Sequence, residues 1–420
     1  MWLGLPAMAA AAYYFLAVVA AVRWLIAVRK VAVAGGAPLA AALPEGRATL
    51  RAAAAGGGAV SILSRTDSSG ISTVAVLDSN PACQPLSILK PVHGRDPQFY
   101  EAILSHAEQD YPEFEILFGL NDPDDPALED IERLRREFPH LAISVRTVYS
   151  KVPNAKVGVL AELAEHARYP LILVNDSDIV VEPGYLRAVT GPLADPAIGM
   201  VTCLYRATAE SYASRAEALG IATEFAPSVL VARLLGIADF ALGSTMVFRA
   251  EALRQFGGFP KIANYLADDY QLGRNIAQLG YRIEFAPVVV ETDLGAESWA
   301  QTWRHQLRWS RTIRVSRPSG YYGYAITHAT LWSMVAMGSH HWWAGGIAMG
   351  MRMTAGVLVG AVVLKDRKVG KDFWLIPLRD LFGFAVWLVG IFGRHVDWRD
   401  RRLRLRADGS ICAESYHRPR

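Results

Sequence analysis

The chain has 420 residues, of which 52% are hydrophobic and 20% are charged, and its formal net charge is +3. This composition is too apolar for an ordinary soluble protein and too polar for an all-membrane transporter, so we expect membrane anchors and one soluble domain of about 200–250 residues. The basic residues form no stripe, which argues against nucleic acid as a partner. Three well-separated cysteines, Cys83, Cys203 and Cys412, exclude a disulfide framework.

The first predicted element is an apolar segment over residues 5–28, which is interrupted only by Arg23 and is long enough to span a bilayer. Arg29 and Lys30 follow it and no charged side chain precedes it, so the positive-inside rule places its far end in the cytoplasm. A cleaved signal peptide is the alternative, but its basic residues would precede a shorter apolar stretch. We therefore predict an N-terminal transmembrane anchor over residues 1–30.

Residues 31–84 are rich in alanine, glycine and serine, which predicts a flexible linker. Beyond it, apolar strands alternate with helical patterns. The predicted strands cover residues 86–89, 114–120, 142–148 and 171–174, and the predicted helices cover 96–108, 128–138 and 156–166. This order is typical of an α/β fold with a parallel, Rossmann-like sheet, which we assign to residues 85–297. No GxGxxG follows the first strand, so we expect no dinucleotide cofactor.

Asp176 and Asp178 come directly after the apolar run of the fourth strand. Such a run predicts a buried parallel strand, and ligands in open α/β sheets bind where these strands end. Two carboxylates at that edge would be costly to desolvate unless they bind something, and a divalent cation with a diphosphate would account for them. We predict Asp178 as a direct metal ligand, with Asp176 contacting a ribose or the metal. An Asx-type turn is the alternative.

Two further aspartates are candidates. Asp122 follows the second strand and can hydrogen-bond a uracil or a ribose at the same edge, although a turn cap explains it as well. Asp269 opens a predicted helix that runs to about residue 279, beside Asp268. A carboxylate there can act as the general base that activates a hydroxyl, whereas the alternative is that both aspartates only complement the helix dipole.

His305, Arg308 and Trp309 lie on one face of a helix predicted over residues 298–320. Arg308 can neutralise a departing diphosphate, and Trp309 can pack on the donor or line the acceptor site. The alternative is an amphipathic helix that lies on the bilayer with its arginines facing lipid phosphates.

Residues 321–393 contain the C-terminal membrane segments, with candidate spans at 322–337 and 342–364. A further apolar stretch at 373–392 is interrupted by Arg379 and Asp380 and is followed by the basic tail, residues 394–420. A single crossing by this stretch would leave the basic tail outside, against the positive-inside rule. We therefore expect a re-entrant or interfacial segment, or a different number of spans.

Together these residues resemble family 2-type inverting glycosyltransferases with the GT-A fold, and more closely the ceramide glucosyltransferase group. The pattern of that group is three separated aspartates followed by (Gln/Arg)xxArgTrp, and the resemblance covers residues 85–330. The matching residues here are, in chain order, Asp122, Asp176 with Asp178, Asp269, and Arg308 with Trp309. His305 departs from the pattern, since it stands where Gln or Arg is usual, but it can still donate to a phosphate.

The resemblance implies a UDP-sugar donor, a divalent cation (Mg²⁺ or Mn²⁺) and a membrane lipid acceptor. It implies a single displacement in which Asp269 takes the proton of the acceptor hydroxyl, while the metal and Arg308 stabilise the leaving diphosphate. Lys156 matches a position near the donor, although a solvated helix residue is the alternative. We expect a multi-pass protein of the cell inner membrane whose active site faces the cytoplasm.

The segments 201–206 and 307–314 look like the bacterial branch of this group, which includes hopanoid-biosynthesis-associated glycosyltransferases. The acceptor implied is a ceramide or a hopanoid polyol. Two alternatives stay open. A processive polysaccharide synthase shares the aspartates and the Arg-Trp ending but needs a transmembrane tunnel. A non-catalytic membrane protein that binds a nucleotide-sugar or a lipid would lack one of the aspartates.

Overall fold

The computed structural model describes residues 2–34, 64–66, 72–74, 83–398 and 401–413. Most of the segment 31–84, which the sequence predicts to be a linker, lies outside the described residues. Within that segment, β1 (Ser64–Thr66) and β2 (Ser72–Val74) pair antiparallel.

A seven-stranded sheet forms the centre of the domain. Its strands are β3 (Leu86–Val92), β4 (Phe114–Leu120), β5 (Ala142–Thr147), β6 (Leu171–Val174), β7 (Ile198–Thr208), β8 (Met246–Arg249) and β9 (Arg282–Asp293), in the spatial order β5-β4-β3-β6-β8-β7-β9. β8 runs antiparallel to both of its neighbours, and the other pairs are parallel. β3, β4 and β6 are buried at every position, as expected for strands covered on both faces.

Helices cover the sheet and shape its carboxyl edge. They are α2 (Phe99–Ala107), α3 (Ala127–Glu137), α4 (Ala155–His166), α5 (Tyr185–Thr190), α6 (Tyr212–Gly220), α7 (Ala226–Leu234), α8 (Ala250–Gln255), α9 (Asp268–Gln278) and α10 (Trp299–Ser316). A π-helical turn, Ile221–Phe225, joins α6 to α7. The α/β fold class predicted from the sequence is confirmed, and so are apolar helices near both ends of the chain.

Apolar helices pack beside this domain. They are α1 (Leu5–Ala34), α11 (Pro318–Gly323), α12 (Ala329–Gly338), α13 (Trp342–Val357), α14 (Val369–Asp372) and α15 (Ile376–Gly390). By length and composition, three segments among the described residues can cross a membrane: Leu5–Lys30, Trp342–Val363 and Val369–Gly390.

The candidate span at 322–337 is not one continuous helix. The chain there breaks into the end of α11, a 3₁₀ turn at Tyr324–Thr327 and the ten-residue α12. Ten helical residues extend about 15 Å, half of a hydrocarbon core of about 30 Å. Tyr14 in the middle of α1 donates a hydrogen bond to the Thr327 carbonyl at 2.8 Å, which holds the start of this short helix against the anchor.

Both ends of the segment that contains α15 contact the α/β domain. Before the helix, Asp372 pairs with Arg215 of α6 at 2.8 Å. After it, the chain forms a three-stranded sheet from β10 (His395–Trp398), β11 (Arg401–Leu405) and β12 (Ile411–Ala413). The Ile411 amide in that sheet donates to the Asn264 carbonyl at 2.7 Å. These contacts favour the re-entrant or interfacial interpretation, since the chain returns to the side that it left.

The charges inside the C-terminal apolar segments pair with one another. Arg352 of α13 is fully buried and contacts Asp380 of α15 at 2.7 Å, and Thr330 donates to the same carboxylate at 2.6 Å. Arg379 contacts Glu224 of the π turn at 3.3 Å. Because a buried charge is stable only when it is paired, the first contact fixes α13 to α15 and the second fixes α15 to the α/β domain.

We predict that residues before and after α15 lie on the same side of the membrane. We compare right-side-out and inside-out membrane vesicles, treated with a maleimide that does not cross the bilayer. Cysteines introduced at Lys368 and at Ala407 should react in the same one of these two preparations. A cysteine at Gly338, the last residue of α12, should react in vesicles of the opposite orientation. Cys83 and Cys412 are replaced by serine in all three proteins, and Cys203 is buried. Opposite labelling of positions 368 and 407 would show that α15 crosses.

Candidate active site

A cavity of about 700 Å³ lies at the carboxyl edge of the sheet, where β3 and β6 end. Its lining includes the predicted residues Lys156, Asp176, Asp178, Asp269, His305, Arg308 and Trp309. The fold thus brings together residues that are up to about 150 positions apart in the sequence. A second cavity of about 720 Å³, on another part of the surface, contains none of these residues.

Asp122 is not among the residues that line this cavity. Its side chain is exposed, and Oδ1 accepts a hydrogen bond from the Asp124 amide at 2.9 Å. This is the turn-cap geometry that the sequence offered as the alternative for this residue.

Asp176 and Asp178 extend from the end of β6. Asp178 accepts a hydrogen bond from the Thr292 hydroxyl of β9. Burial, reinforced by the neighbouring Asp176, raises the pKa of Asp178 to about 6. Carboxylate oxygens are the ligands that Mg²⁺ and Mn²⁺ prefer, and a cation would offset the repulsion between the two groups. The donor set therefore fits a divalent cation whose remaining ligands are phosphate and water.

Lys156 bridges two parts of the carboxylate cluster. Its Nζ lies 2.8 Å from Oδ1 of Asp176 and 3.2 Å from Oδ2 of Asp268. The lysine sits in the first turn of α4, where the Asn154 side chain caps the helix by accepting from the Val157 amide. Burial alone would lower the pKa of Lys156, but the carboxylates of Asp176 and Asp268 outweigh this effect and raise it. The lysine is thus a fixed cation in the site.

Asp269 is held by two backbone amides at the start of α9. Gly243 donates to Oδ2 at 3.2 Å, and Tyr270 donates to Oδ1 at 2.7 Å. Burial and the adjacent Asp268 raise the pKa of Asp269 to about 6, against the opposing effect of Lys156. A Cβ atom at Gly243 would lie 3.4 Å from Oδ2 of Asp269 and 3.8 Å from Oδ2 of Asp176. The two carboxylates therefore flank the same small space.

The helix α10 presents His305, Arg308 and Trp309 to the cavity, on the shared face that their spacing predicts. The helix begins with a capping box formed by Ser298 and Gln301. The His305 ring lies 4.7 Å from the Trp309 ring, measured between centroids. Nδ1 of His305 lies 2.7 Å from a carboxylate oxygen of Glu217 on α6. This nitrogen therefore faces Glu217.

Sequence reasoning missed several polar residues of the site. Lys90 is fully buried in β3, and its Nζ donates to the Asp176 carbonyl at 3.1 Å. Burial lowers the pKa of Lys90 to about 7, although Asp178 and Asp176 oppose the shift. Asp96 accepts a hydrogen bond from Ser177 at 2.7 Å. The sequence could have indicated Lys90, because it is a charged residue in a mostly apolar strand. No local pattern marks Asp96 or Thr292 as a site residue.

The far side of the cavity is apolar. Side chains from the π turn, α7, the following loop and α10 line it: Ile221, Phe225, Val229, Ile237, Phe240 and Ile313. Phe225, Val229 and Phe240 belong to a hydrophobic cluster that also contains Ala20 and Ala21 of α1 and Val359 and Val363 beyond α13. The apolar wall is therefore continuous with the helices that are long enough to cross a membrane.

Comparisons with known proteins agree with this architecture. The model of the family described as "Glycosyl transferase family 21" matches residues 59–411. Ceramide glucosyltransferase 1 of Caenorhabditis elegans is 28% identical over 209 residues, which are 49% of this chain and 44% of that protein. Ceramide glucosyltransferase 3 of the same organism is 31% identical over 202 residues, 47% of this chain and 43% of that protein. The matched part thus spans less than half of these curated relatives.

Among solved structures, the chain is similar to "Mannosyltransferase PcManGT from Pyrobaculum calidifontis in complex with GDP-Man and Mn2+". The identity is 16%, the TM-score is 0.49, and the match covers 93% of this chain and 99% of that one. The parts of the predicted fold that the structure confirms are the α/β sheet and the apolar helices near both ends of the described chain.

We predict that Lys156→Met destabilises the protein by on the order of 1–3 kcal/mol, because it leaves the carboxylates of Asp176 and Asp268 without their cation. The loss should grow between pH 5 and pH 8, since the pKa of Asp269 is about 6 and Lys156 favours its ionised form. The measurement is thermal unfolding of the detergent-solubilised protein at each pH. Lys151→Met, which changes an exposed lysine, is the matched control, and equal melting temperatures for the two variants would contradict the prediction.

Proposed function

Because the chain belongs to glycosyl transferase family 21, we propose that it is a membrane enzyme that transfers a sugar from a UDP-sugar to a lipid hydroxyl, with inversion. The sugar is a hexose or an N-acetylhexosamine. The observation that carries the proposal is the cavity itself, which has carboxylates and Lys156 at one end and an apolar wall, continuous with the apolar helices, at the other. Such a cavity suits a charged donor and a lipid acceptor together.

The donor occupies the polar end of the cavity in this proposal. Asp178 and Asp176 hold the divalent cation, which when bound neutralises charge on the donor diphosphate. Arg308 and His305 donate to the same diphosphate, and Trp309 packs against the donor. Lys156 orients Asp176, and Asp122 contacts the uracil or ribose from its exposed turn.

Asp269 acts as the general base. It takes the proton of the lipid hydroxyl while that oxygen attacks the anomeric carbon and the bond from this carbon to the diphosphate breaks. Attack opposite to the leaving group inverts the configuration. Asp269 and Asp176 lie on two sides of one small space beside Gly243. This arrangement supports the role of Asp269, since it puts the base next to the donor end of the cavity.

The acceptor is a ceramide or a hopanoid polyol, each of which combines a hydroxyl-bearing head with a large apolar body. The names of the curated relatives, ceramide glucosyltransferases, support the first of these. We further propose that the protein resides in the cell inner membrane with its active site facing the cytoplasm. Arg29 and Lys30, at the end of α1 that leads to the catalytic domain, support that orientation.

The test is transfer of labelled sugar from UDP-glucose and, separately, UDP-N-acetylglucosamine to ceramide or to a hopanoid polyol, with Mn²⁺ or with EDTA. We expect a labelled lipid that carries one sugar, formed with Mn²⁺ and lost with EDTA. Asp269→Asn should lower kcat by roughly 10²–10⁴-fold while the donor KM changes little. Asp124→Asn, in an exposed turn, is the control. Labelled polymer would instead identify a polysaccharide synthase, and no product with either donor would reject the proposal.

We also predict that kcat/KM falls as the pH drops through about 6. A general base must be ionised, and the pKa of Asp269 is raised to about 6 by burial and Asp268, with Asp176 adding to the shift and Lys156 opposing it. Lys156→Met should move this acidic limb to higher pH, because it removes the nearby positive charge. The measurement is the pH profile of initial rates for both proteins. An acidic limb that stays in place in Lys156→Met would argue against Asp269 as the titrating base.

A further inference from the structure

A second cluster of metal-ligating side chains lies next to the cavity, away from Asp176 and Asp178. It consists of Glu217 on α6, Glu297 in the turn before α10, and His305 on α10. One ligand atom from each residue lies within 4.8 Å of the other two.

Few hydrogen bonds reach the side chains of this cluster. Thr302 donates to Oε2 of Glu297 at 3.3 Å. Glu217 is 1% exposed, and within the described part of the chain neither of its carboxylate oxygens has a hydrogen-bond partner. Nδ1 of His305 also has none there, although it lies only 2.7 Å from Oε1 of Glu217. A short distance with unsuitable angles does not make a hydrogen bond. A buried carboxylate is costly to desolvate, and among the described residues the Glu217 carboxylate has only its short contact with His305. An ion that accepts lone pairs from several directions would stabilise the cluster.

We propose that Glu217, Glu297 and His305 bind a divalent transition-metal ion, with Zn²⁺ as the ion that best fits this set. One imidazole nitrogen and two carboxylate oxygens are ligands that zinc takes, and a water completes four-coordination. The two carboxylates match the charge of the ion. Burial and Glu217 raise the pKa of Glu297, while His305 and Arg308 oppose the shift, as expected for two carboxylates that share a small space.

The scaffold of the site is held by contacts that do not involve the ligand atoms. The Glu297 amide donates to the Ser214 hydroxyl at 3.1 Å, and the Ser211 hydroxyl donates to the Glu297 carbonyl at 2.5 Å. Ser214 also donates to the Gly295 carbonyl at 2.8 Å. The first turn of α6 and the turn before α10 are thereby fixed to each other, which preorganises two of the three ligands.

The ion would connect α6 to α10 beside the cavity. It takes Nδ1 of His305 and leaves Nε2 for the contact with the donor diphosphate. Because the His305 ring packs on Trp309, the ion also fixes the position of that tryptophan in the cavity lining. The site is therefore a positioning element and is separate from the cation site of Asp176 and Asp178.

The experiment counts bound metal in the full-length, detergent-purified chain. Each protein is equilibrated with ZnCl₂ and dialysed against metal-free buffer. Its zinc content is then measured by inductively coupled plasma mass spectrometry. We expect one zinc equivalent per chain in the wild type and in Asp178→Asn. Glu217→Gln, Glu297→Gln and His305→Ala should lose it. In parallel, Co²⁺ should give the visible absorption of a four- or five-coordinate ion in the wild type and not in Glu297→Gln.

Glu217 is buried, so Glu217→Gln can prevent folding. Glu297 is partly exposed, so Glu297→Gln is expected to fold and still tests the site. Glu132→Gln, an exposed glutamate of α3, is the matched control and should keep the zinc. The proposal is overturned if the wild type retains no zinc, if Glu297→Gln and His305→Ala retain as much as the wild type, or if Asp178→Asn loses it equally. The cluster is then a contact between His305 and Glu217 without a metal ion. The metal count does not depend on glycosyl transfer, so this result is independent of the proposed function.

Discussion

The ion pairs of Lys156 with Asp176 and Asp268 are the interaction on which the site depends. Asp176 follows β6, whereas Asp268 and Asp269 open α9, almost a hundred residues later in the sequence. Without a cation between them, these carboxylates would repel one another and the edge of the sheet would spread. The lysine therefore sets the distance between the residues proposed to bind the donor and the proposed base. Lys90 supports the same loop from beneath, through the Asp176 carbonyl.

A second constraint joins the catalytic domain to the apolar helices. Arg352 and Asp380 pair in a buried environment, and Arg379 reaches Glu224 of the π turn. Charges in such a place are stable only when all partners are present, so the helices cannot separate from the domain without a large cost. The apolar wall of the cavity and the apolar helices are therefore parts of one packed cluster, which places the proposed acceptor site beside the membrane segments.

His305 connects the two proposals. Proteins that the sequence resembles have Gln or Arg at this position, and neither side chain is a usual zinc ligand. In this chain the histidine lies beside two glutamates that approach it from α6 and from the turn before α10. In the proposed zinc site, the histidine in the motif and the buried Glu217 both bind the ion. The ion would hold the motif helix in place while Arg308 and Trp309 face the proposed donor.

The sequence alone determined the parts that depend on local patterns. The mostly apolar run of β4 and the uninterrupted apolar run of β6 predicted their bounds as the structure has them. The helical spacing placed His305, Arg308 and Trp309 on one face. Only the tertiary structure decided which distant groups meet. It assigned Asp122 to an exposed turn, brought Glu217 and Glu297 to His305, buried Lys90 under Asp176 and returned α15 to the domain. These features rest on contacts between residues far apart in the chain, and hydropathy and periodicity describe only neighbours along it.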